Sequence, residues 1–513
     1  MSAQEPALAI DPNEQRRAAF EASLAQHGIA LSPHESGSVF KLAAWMGDGI
    51  AGLAETFPAQ EEDLSAILDL SFLEQGRRLR DGRLTSVALT QACLDRIAAR
   101  DGAYRSFYRV TAERALAHAA RADAELAAGQ DRGPLHGIPV GLKDLIDVAG
   151  LPTTADAPGR AEAVSEADAA VVTRLIEAGA VLIGKLATYE WGTVGPDTSG
   201  LFPPARNPWS LDHITGGSSS GSAAAVASGL LRTTLGTDTG GSLRGPAFYC
   251  GVVGLKPTFG TVPNAGVLPM ATSMDHVGPI SATVAEAAVT LDVIAGSKAA
   301  RLIGEPVRGL RIGYARNFFA SDSQTMPAVL TAMDAALSTL SELGAVVEEI
   351  ELPDYYAIEV AAAAILHRES FDYHAAALRD HPDAYGRRAF LSLAAGVAVS
   401  DSDLAEARRA GQLFRDSVDR LLERHDAIIT VGALTTALLA APFEKEAVWT
   451  PMRTIGFNVS GHPVLALPVG FHQGLPIGMQ IIGRHHDEAR IVQIGDAFER
   501  ATDHAVQRPP SLT

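Results

Sequence analysis

The sequence predicts an α/β fold, a sheet sandwiched by helices, with an α-helical extension in front. Three observations carry this. Apolar runs of strand length alternate with segments of helical period over most of the chain, the pattern that places helices on the faces of a buried sheet. The first sixty residues contain helical periodicity alone. A chain of 513 residues that is 47% hydrophobic and 20% charged has the composition of a large globular protein.

In chain order, Asn13 to His27 reads as a short helix, with Phe20 and Leu24 one turn apart and Gly28 as its stop. Ser32-Pro33-His34-Glu35 combines a capping serine, proline at the first helical position and glutamate three residues after the cap. It opens a second helix whose stripe Val39, Ala43, Met46, Ile50, Leu53 and Phe57 lies on one face until Pro58. This pair is expected to be a docking or dimerisation element, and the expected assembly is a homodimer. An acidic linker from Gln60 to Asp63 follows, so the expected division is 1–62 for the helical hairpin and 63–513 for the sheet-bearing domain.

Beyond the linker, Ser86 is expected to cap a helix bearing Val87, Leu94, Ile97 and Ala98, and residues 112–128 read as an alanine-rich helix. Strands are expected at 137–143, 180–184, 250–255, 310–314, 345–350, 427–431, 464–469 and 477–482, where continuous apolar runs indicate burial on both faces. Residues 355–425 read as a mostly helical excursion on one side of the sheet. The usual allowance of about 150 residues per domain would suggest three units, but large α/β enzymes carry this much chain on one sheet.

The charge balance narrows the partners. A net charge of −18 repels phosphate backbones, so no nucleic acid is expected. No apolar run reaches the length of a membrane span, and none is expected. Cys93 and Cys250 are too few for a disulfide framework, and the start MSAQEPALAIDPNEQRR lacks a charged-then-apolar leader. Together these predict a cytoplasmic protein.

The 48 glycines are an excess, and two glycine-serine stretches concentrate their chemical interest. Gly216-Gly217-Ser218-Ser219-Ser220-Gly221-Ser222 runs into an alanine-rich helix start, where backbone N–H groups point outward. Gly236-Thr237-Asp238-Thr239-Gly240-Gly241-Ser242-Leu243-Arg244 places a serine after two glycines, open to a substrate carbonyl. Either alone could be a linker. A third element is Lys143, inside the apolar run 137–142, where burial would push its ammonium toward the neutral, basic form. Asp144 is adjacent, but strand alternation turns its side chain to the other face.

Taken together these segments resemble the amidase signature hydrolases, over about residues 64 to 505. Lys143, Ser218 and Ser242 keep the spacing of that family's lysine, cis-serine and serine triad, and the stretch from Gly216 to Gly254-Leu255-Lys256-Pro257-Thr258 is similar to its signature. Further matches are Gly184-Lys185, Arg206-Asn207-Pro208-Trp209, Gly461-His462-Pro463 and Gly474-Leu475-Pro476-Ile477-Gly478; Ser220 departs, standing where relatives have glycine. The resemblance implies a large mixed sheet and an amidase without cofactor or metal. It assigns Ser242 as nucleophile, Ser218 as proton relay after a cis peptide, Lys143 as general base, and the backbone N–H groups of Thr239, Gly240, Gly241 and Ser242 as the oxyanion hole. Ser219, Asp238 and Arg244 would support the loops. Trp191 is expected near the pocket, with Phe371 and Tyr373 of the helical excursion. The expected substrate is a small-molecule amide of a modest carboxylic acid; carbamates and ureides, or the glutaminase-type role found in amidotransferases, are the alternatives.

Other chemistries fit less well. Gly217-Ser218-Ser219-Ser220-Gly221 matches the G-x-S-x-G elbow with Ser219 as nucleophile, but proline-broken polar sequence precedes it instead of a strand. Cys250 lies in an apolar setting that suits an inert thiol. The His485-His486-Asp487 run lacks metal-site spacing.

Overall fold

The computed structural model describes residues 12–26, 29–56 and 64–510. Packing divides the chain into residues 1–63 and 64–513. In the first unit, helices Pro12–Gln26 and Pro33–Thr56 pack through Phe20 and Phe40, whose rings lie 5.6 Å apart. The cap at Ser32 forms as its sequence predicts: Ser32 N–H donates to Glu35 Oε2 at 2.8 Å, and Glu35 N–H to Ser32 Oγ at 3.4 Å. Val39 and Met46 of the expected apolar stripe are exposed. Gly28, Phe57, Pro58 and the linker at 60–63 lie outside the described residues, as do the side chains of Ile50 and Leu53.

The second unit is organised on an eleven-stranded mixed sheet. Its strands are β1 (Phe107–Val110), β2 (Pro139–Lys143), β3 (Val181–Leu186), β4 (Thr233–Asp238), β5 (Val253–Lys256), β6 (His276–Ser281), β7 (Arg311–Tyr314), β8 (Val346–Glu349), β9 (Ala427–Val431), β10 (Val464–His472) and β11 (Leu475–Ile482). They lie in the order β1-β3-β2-β4-β6-β5-β10-β11-β9-β7-β8. β2 runs parallel to both β3 and β4, and β7 to β8 and β9, while the other pairs are antiparallel.

The central apolar runs become strands buried on both faces, whereas the run at 345–350 becomes β8 at the sheet edge, where Val346 is exposed. Val464, Leu465, Ala466 and Leu467 are all buried, and each large side chain so removed from water contributes about 1.5–3 kcal/mol. Pro468 falls where the β10–β11 register shifts, a break that tolerates its missing N–H. The expected strand from Cys250 starts later: residues 244–250 are helical and only Val253–Lys256 is extended. Thr85, not Ser86, caps the helix Ser86–Tyr104; it accepts from Ala88 N–H, while Ser86 Oγ donates to Gly137 O at 2.8 Å. The excursion after residue 354 comprises the helices Tyr355–Asp380, Arg387–Ala394 and Asp401–Leu422.

β1, β4 and β6 were not legible as apolar runs. β4 is Thr-Thr-Leu-Gly-Thr-Asp, yet it lies between β2 and β6 with every residue buried. Its threonine hydroxyls find partners inside, Thr233 Oγ1 with Ser281 Oγ at 2.7 Å and Thr234 Oγ1 with Ile280 O at 3.2 Å. Residues 236–238 are therefore strand rather than loop.

Candidate active site

Parallel pairing of β2 and β4 brings Lys143 and Thr237, near the carboxyl ends of their strands, to one edge of the sheet, the usual ligand position of α/β sheets. Lys143 Nζ lies 2.7 Å from Ser218 Oγ and 2.7 Å from Thr237 Oγ1. Both partners are neutral hydroxyls. Burial pulls the lysine pKa down to about 7, against the charges of Asp238 and Asp275, which favour the ammonium.

Two other lysines are equally buried, and their partners separate them from Lys143. Lys185 Nζ pairs with Asp144 Oδ1 at 2.7 Å, which also accounts for the acid beside Lys143. Lys256 Nζ donates to His462 O at 2.6 Å and Pro257 O at 3.2 Å, and lies 3.2 Å from His276 Nε2. Only Lys143 adjoins the hydroxyl of the first glycine-serine segment.

Ser218 follows a cis peptide from Gly217. A Cβ on Gly217 would lie 2.0 Å from the Tyr189 ring, so this position admits only glycine. Ser219 N–H donates to Ser242 O at 3.0 Å, which ties the two serine segments together at the backbone. Ser219 Oγ itself is buried, donating to Thr237 O at 3.1 Å and accepting from Thr237 N–H at 3.2 Å. It clamps the start of helix Ser220–Ala227 to β4, and among the described residues it makes no hydrogen bond to the Lys143 or Ser218 side chain. Ser220, at the departure from the family pattern, donates to Ala187 O at 3.3 Å.

The second loop is shaped by a buried ion pair. Arg244 Nε and Nη2 meet Asp238 Oδ2 and Oδ1 at 2.9 and 3.0 Å, and both side chains are fully enclosed. Burial alone would raise the Asp238 carboxyl, but the Arg244 charge, its hydrogen bonds and Asn458 hold it well below the carboxylate range. The remaining guanidinium donors reach Thr454 O, Gln480 Oε1 and Asn458 Oδ1 at 3.0, 3.2 and 2.6 Å.

Asp238 also corrects one expectation. Its Oδ1 accepts from Gly241 N–H at 2.8 Å, so that amide is already committed. Among the described residues the N–H groups of Thr239, Gly240 and Ser242 have no protein partner. Gly241 is needed for its conformation: φ is +125°, and a Cβ would lie 2.2 Å from Thr454 Oγ1.

Ser242 is half-buried and lines a cavity of about 150 Å³ with Gly240, Gly241, Tyr355, Leu366, Trp449 and others. Its hydroxyl has no hydrogen-bond partner among the described residues. Ser218 lines a second cavity, of about 180 Å³, with Thr237, Thr239 and Asp275, and Gly192 borders both. Trp191 lines neither. It packs against Leu145, Tyr385 and Leu393, edge-on to His374 with ring centroids 4.6 Å apart, and its neighbours Tyr189 and Gly192 face the cavities instead. Phe371 packs in that same cluster and Tyr373 is exposed, so the helix Tyr355–Asp380 walls the Ser242 cavity through Tyr355, Glu359, Ala363, Leu366 and His367.

Thr237, Asn458, Thr454 and Gln480 escaped sequence reasoning. Thr237 lay in a segment read as loop, and the other three come from the distant carboxyl-terminal part of the chain. Cys250 is fully buried and its thiol is pushed up by desolvation, away from reactivity. Ser219 is no elbow nucleophile, being buried, bonded to Thr237 and not preceded by a strand.

A strand-edge lysine joined to one serine through its hydroxyl, with a second, cavity-facing serine on the loop tied to it, is a serine-hydrolase type of site. The amidase family model matches residues 88–492, and the chain belongs to the amidase signature family, hydrolases that act on C–N bonds. It is 38% identical over 491 residues to a glutamyl-tRNA(Gln) amidotransferase subunit from Roseiflexus sp. (strain RS-1), covering 87% of this chain and 99% of that one. Among solved structures it is similar to the native peptide amidase from Stenotrophomonas maltophilia, with TM-score 0.75, 30% identity, and 89% and 99% of the two chains covered. A structure from work on a vestigial complex and the origins of an s-triazine catabolic enzyme gives TM-score 0.79 at 31% identity, covering 84% and 98%. No helix among the described residues is long and apolar enough to cross a membrane.

Proposed function

We propose that the chain is an amidase that hydrolyses carboxylic amides through an acyl-enzyme on Ser242. The observation that carries this reading is the pair of 2.7 Å bonds from Lys143 to Ser218 and Thr237, in a buried setting beside a cavity-facing Ser242. A neutral amine has two N–H donors and one lone pair, so Lys143 can keep its bond to Thr237 while accepting from Ser218 Oγ–H. Ser242 Oγ attacks the amide carbon. Its proton passes to Ser218 Oγ as the Ser218 proton passes to Lys143 Nζ. The bond between the two serines forms as substrate enters, as catalytic contacts commonly tighten on binding. The carbonyl oxygen takes up the free N–H groups of Thr239, Gly240 and Ser242, each such donor worth about 3–4 kcal/mol. The relay then returns a proton to the leaving nitrogen, the C–N bond breaks, and water hydrolyses the ester by the same route.

Ser218 must stand beside the leaving nitrogen to protonate it. Its cavity is therefore the leaving-group side, and the cavity that Ser242 opens into is the acyl side. Among the described residues the acyl cavity has no lysine or arginine to meet a substrate carboxylate. That disfavours substrates with a free carboxylate, glutamine among them, and separates this reading from a glutaminase-type role within an amidotransferase, the kind of assembly to which the 38%-identical relative belongs. Carbamates and ureides would use the same machinery.

The test is hydrolysis by the purified chain of a panel of amides, anilides, carbamates, ureides and glutamine, with size-exclusion chromatography to measure assembly, for which a homodimer is expected. Ser242→Ala should abolish turnover, and Ser218→Ala and Lys143→Ala should each lower it by about 10²–10⁴-fold. An active Ser242→Ala enzyme would overturn the proposal, and turnover of glutamine alone would favour the amidotransferase reading.

A further inference from the structure

The acyl cavity carries one formal charge among its described lining residues, the carboxylate of Glu359. Residues 355, 359, 363, 366 and 367 fall on one face of the helix Tyr355–Asp380, and that face walls the cavity. Four of the five are uncharged: tyrosine, alanine, leucine, and a histidine that burial disfavours from charging and whose Nδ1 lies 3.0 Å from Ser392 O. A carboxylate in this company has no role in the triad, and Lys143 bonds only to hydroxyls.

No lysine or arginine among the described residues pairs with Glu359. The exposed Trp449 turns its indole edge to the carboxylate, Nε1–H donating to Oε1 at 3.1 Å, and the Tyr355 side chain also lies against it. A carboxylate has about four acceptor sites, so most of its capacity remains. Beyond it lies a wider cleft, of about 550 Å³, which shares Tyr355, Glu359 and Trp449 with the acyl cavity. The one cation lining that cleft among the described residues, Arg453, is already engaged: it pairs with Asp322, donates Nε–H to Phe318 O at 3.0 Å, and lies 4.2 Å over the Tyr355 ring.

We infer that Glu359, flanked by Trp449 and Tyr355, selects amides whose acyl chain carries a protonated amine some atoms from the scissile carbonyl. An ammonium donates a charge-assisted hydrogen bond to the carboxylate. A carboxylate in the same place meets like charge, and an alkyl end leaves Glu359 unmatched. This specificity rests on the acyl-enzyme reading above, since it assigns the Ser242 cavity to the acyl side.

The experiment compares primary amides of equal chain length ending in an ammonium, a methyl or a carboxylate group, over acyl chains of about three to eight carbons, by kcat/KM. The expected order is ammonium, then methyl, then carboxylate, with about a tenfold advantage of ammonium over methyl that peaks at one chain length. Glu359→Gln should collapse that ratio toward one, and Glu359→Lys should reverse the order of ammonium and carboxylate. A merely structural role for Glu359 would lower all three substrates together and leave the ratio standing. Methyl amides equal to or better than ammonium amides in the unaltered protein, or an unchanged ratio in Glu359→Gln, would overturn the inference. Failure of the amidase reading is separate: it would appear as no turnover of any of the three, or turnover that survives Ser242→Ala.

Discussion

If Lys143 is the base, the rate of acylation must follow its deprotonation. At pH 7 an ordinary lysine of pKa 10.5 is neutral in about 0.03% of molecules, whereas one pulled down to about 7 is neutral in about half. The difference is roughly 1,500-fold in competent base, or about 4 kcal/mol, and it arises from burial, since the nearby charges of Asp238 and Asp275 act the other way. The sign follows: the lowered pKa makes activity rise with pH through about 7 and level off above it. At pH 5 only about 1% of the lysine is neutral, so acylation should be about fiftyfold slower than at pH 7. Single-turnover acylation by a chromogenic anilide, or the rate of Ser242 labelling by a fluorophosphonate, measured from pH 5 to 9, reads this directly. Lys143→Ala should cost about 10²–10⁴-fold and lose the midpoint near 7. A midpoint near 10, or the same midpoint in Lys143→Ala, would refute the reasoning.

Three further outcomes are expected. Thr237→Val removes one of the two hydroxyls that orient Lys143 and should lower kcat about tenfold with little change in KM, since Thr237 lines the leaving-group cavity rather than the acyl side. Asp238→Asn leaves Arg244 buried without a counter-charge; denaturant titration should show a loss of about 3–5 kcal/mol, and the released loop should abolish activity. Trp191→Ala should cost about 3–5 kcal/mol of stability as a core truncation yet leave the ratio of aryl to alkyl amide kcat/KM unchanged; a selective loss of aryl amides would return Trp191 to the pocket.

Much of the site could be read from the sequence because its residues sit in segments of extreme local character. A lysine inside an apolar run has few fates in a folded chain, and serines after paired glycines have little steric reason to be there other than backbone exposure. The strands buried on both faces were legible for the same reason, as unbroken apolar runs. What the tertiary structure decided were matters of pairing between distant segments. β4 is a strand because β2 and β6 flank it and satisfy its threonines, which no local propensity reveals. Ser219 found its partner in Thr237 of β4, and Trp191 was taken by the core while Gly192 kept the cavity. The amide of Gly241 was withdrawn from the free donors by Asp238, whose position depends on Asn458, more than two hundred residues away. Sequence thus determined which side chains are chemically out of place along the chain. Only the folded sheet decided which of them meet at one edge, because burial, and with it the lowered lysine pKa, is a property of all the neighbours at once.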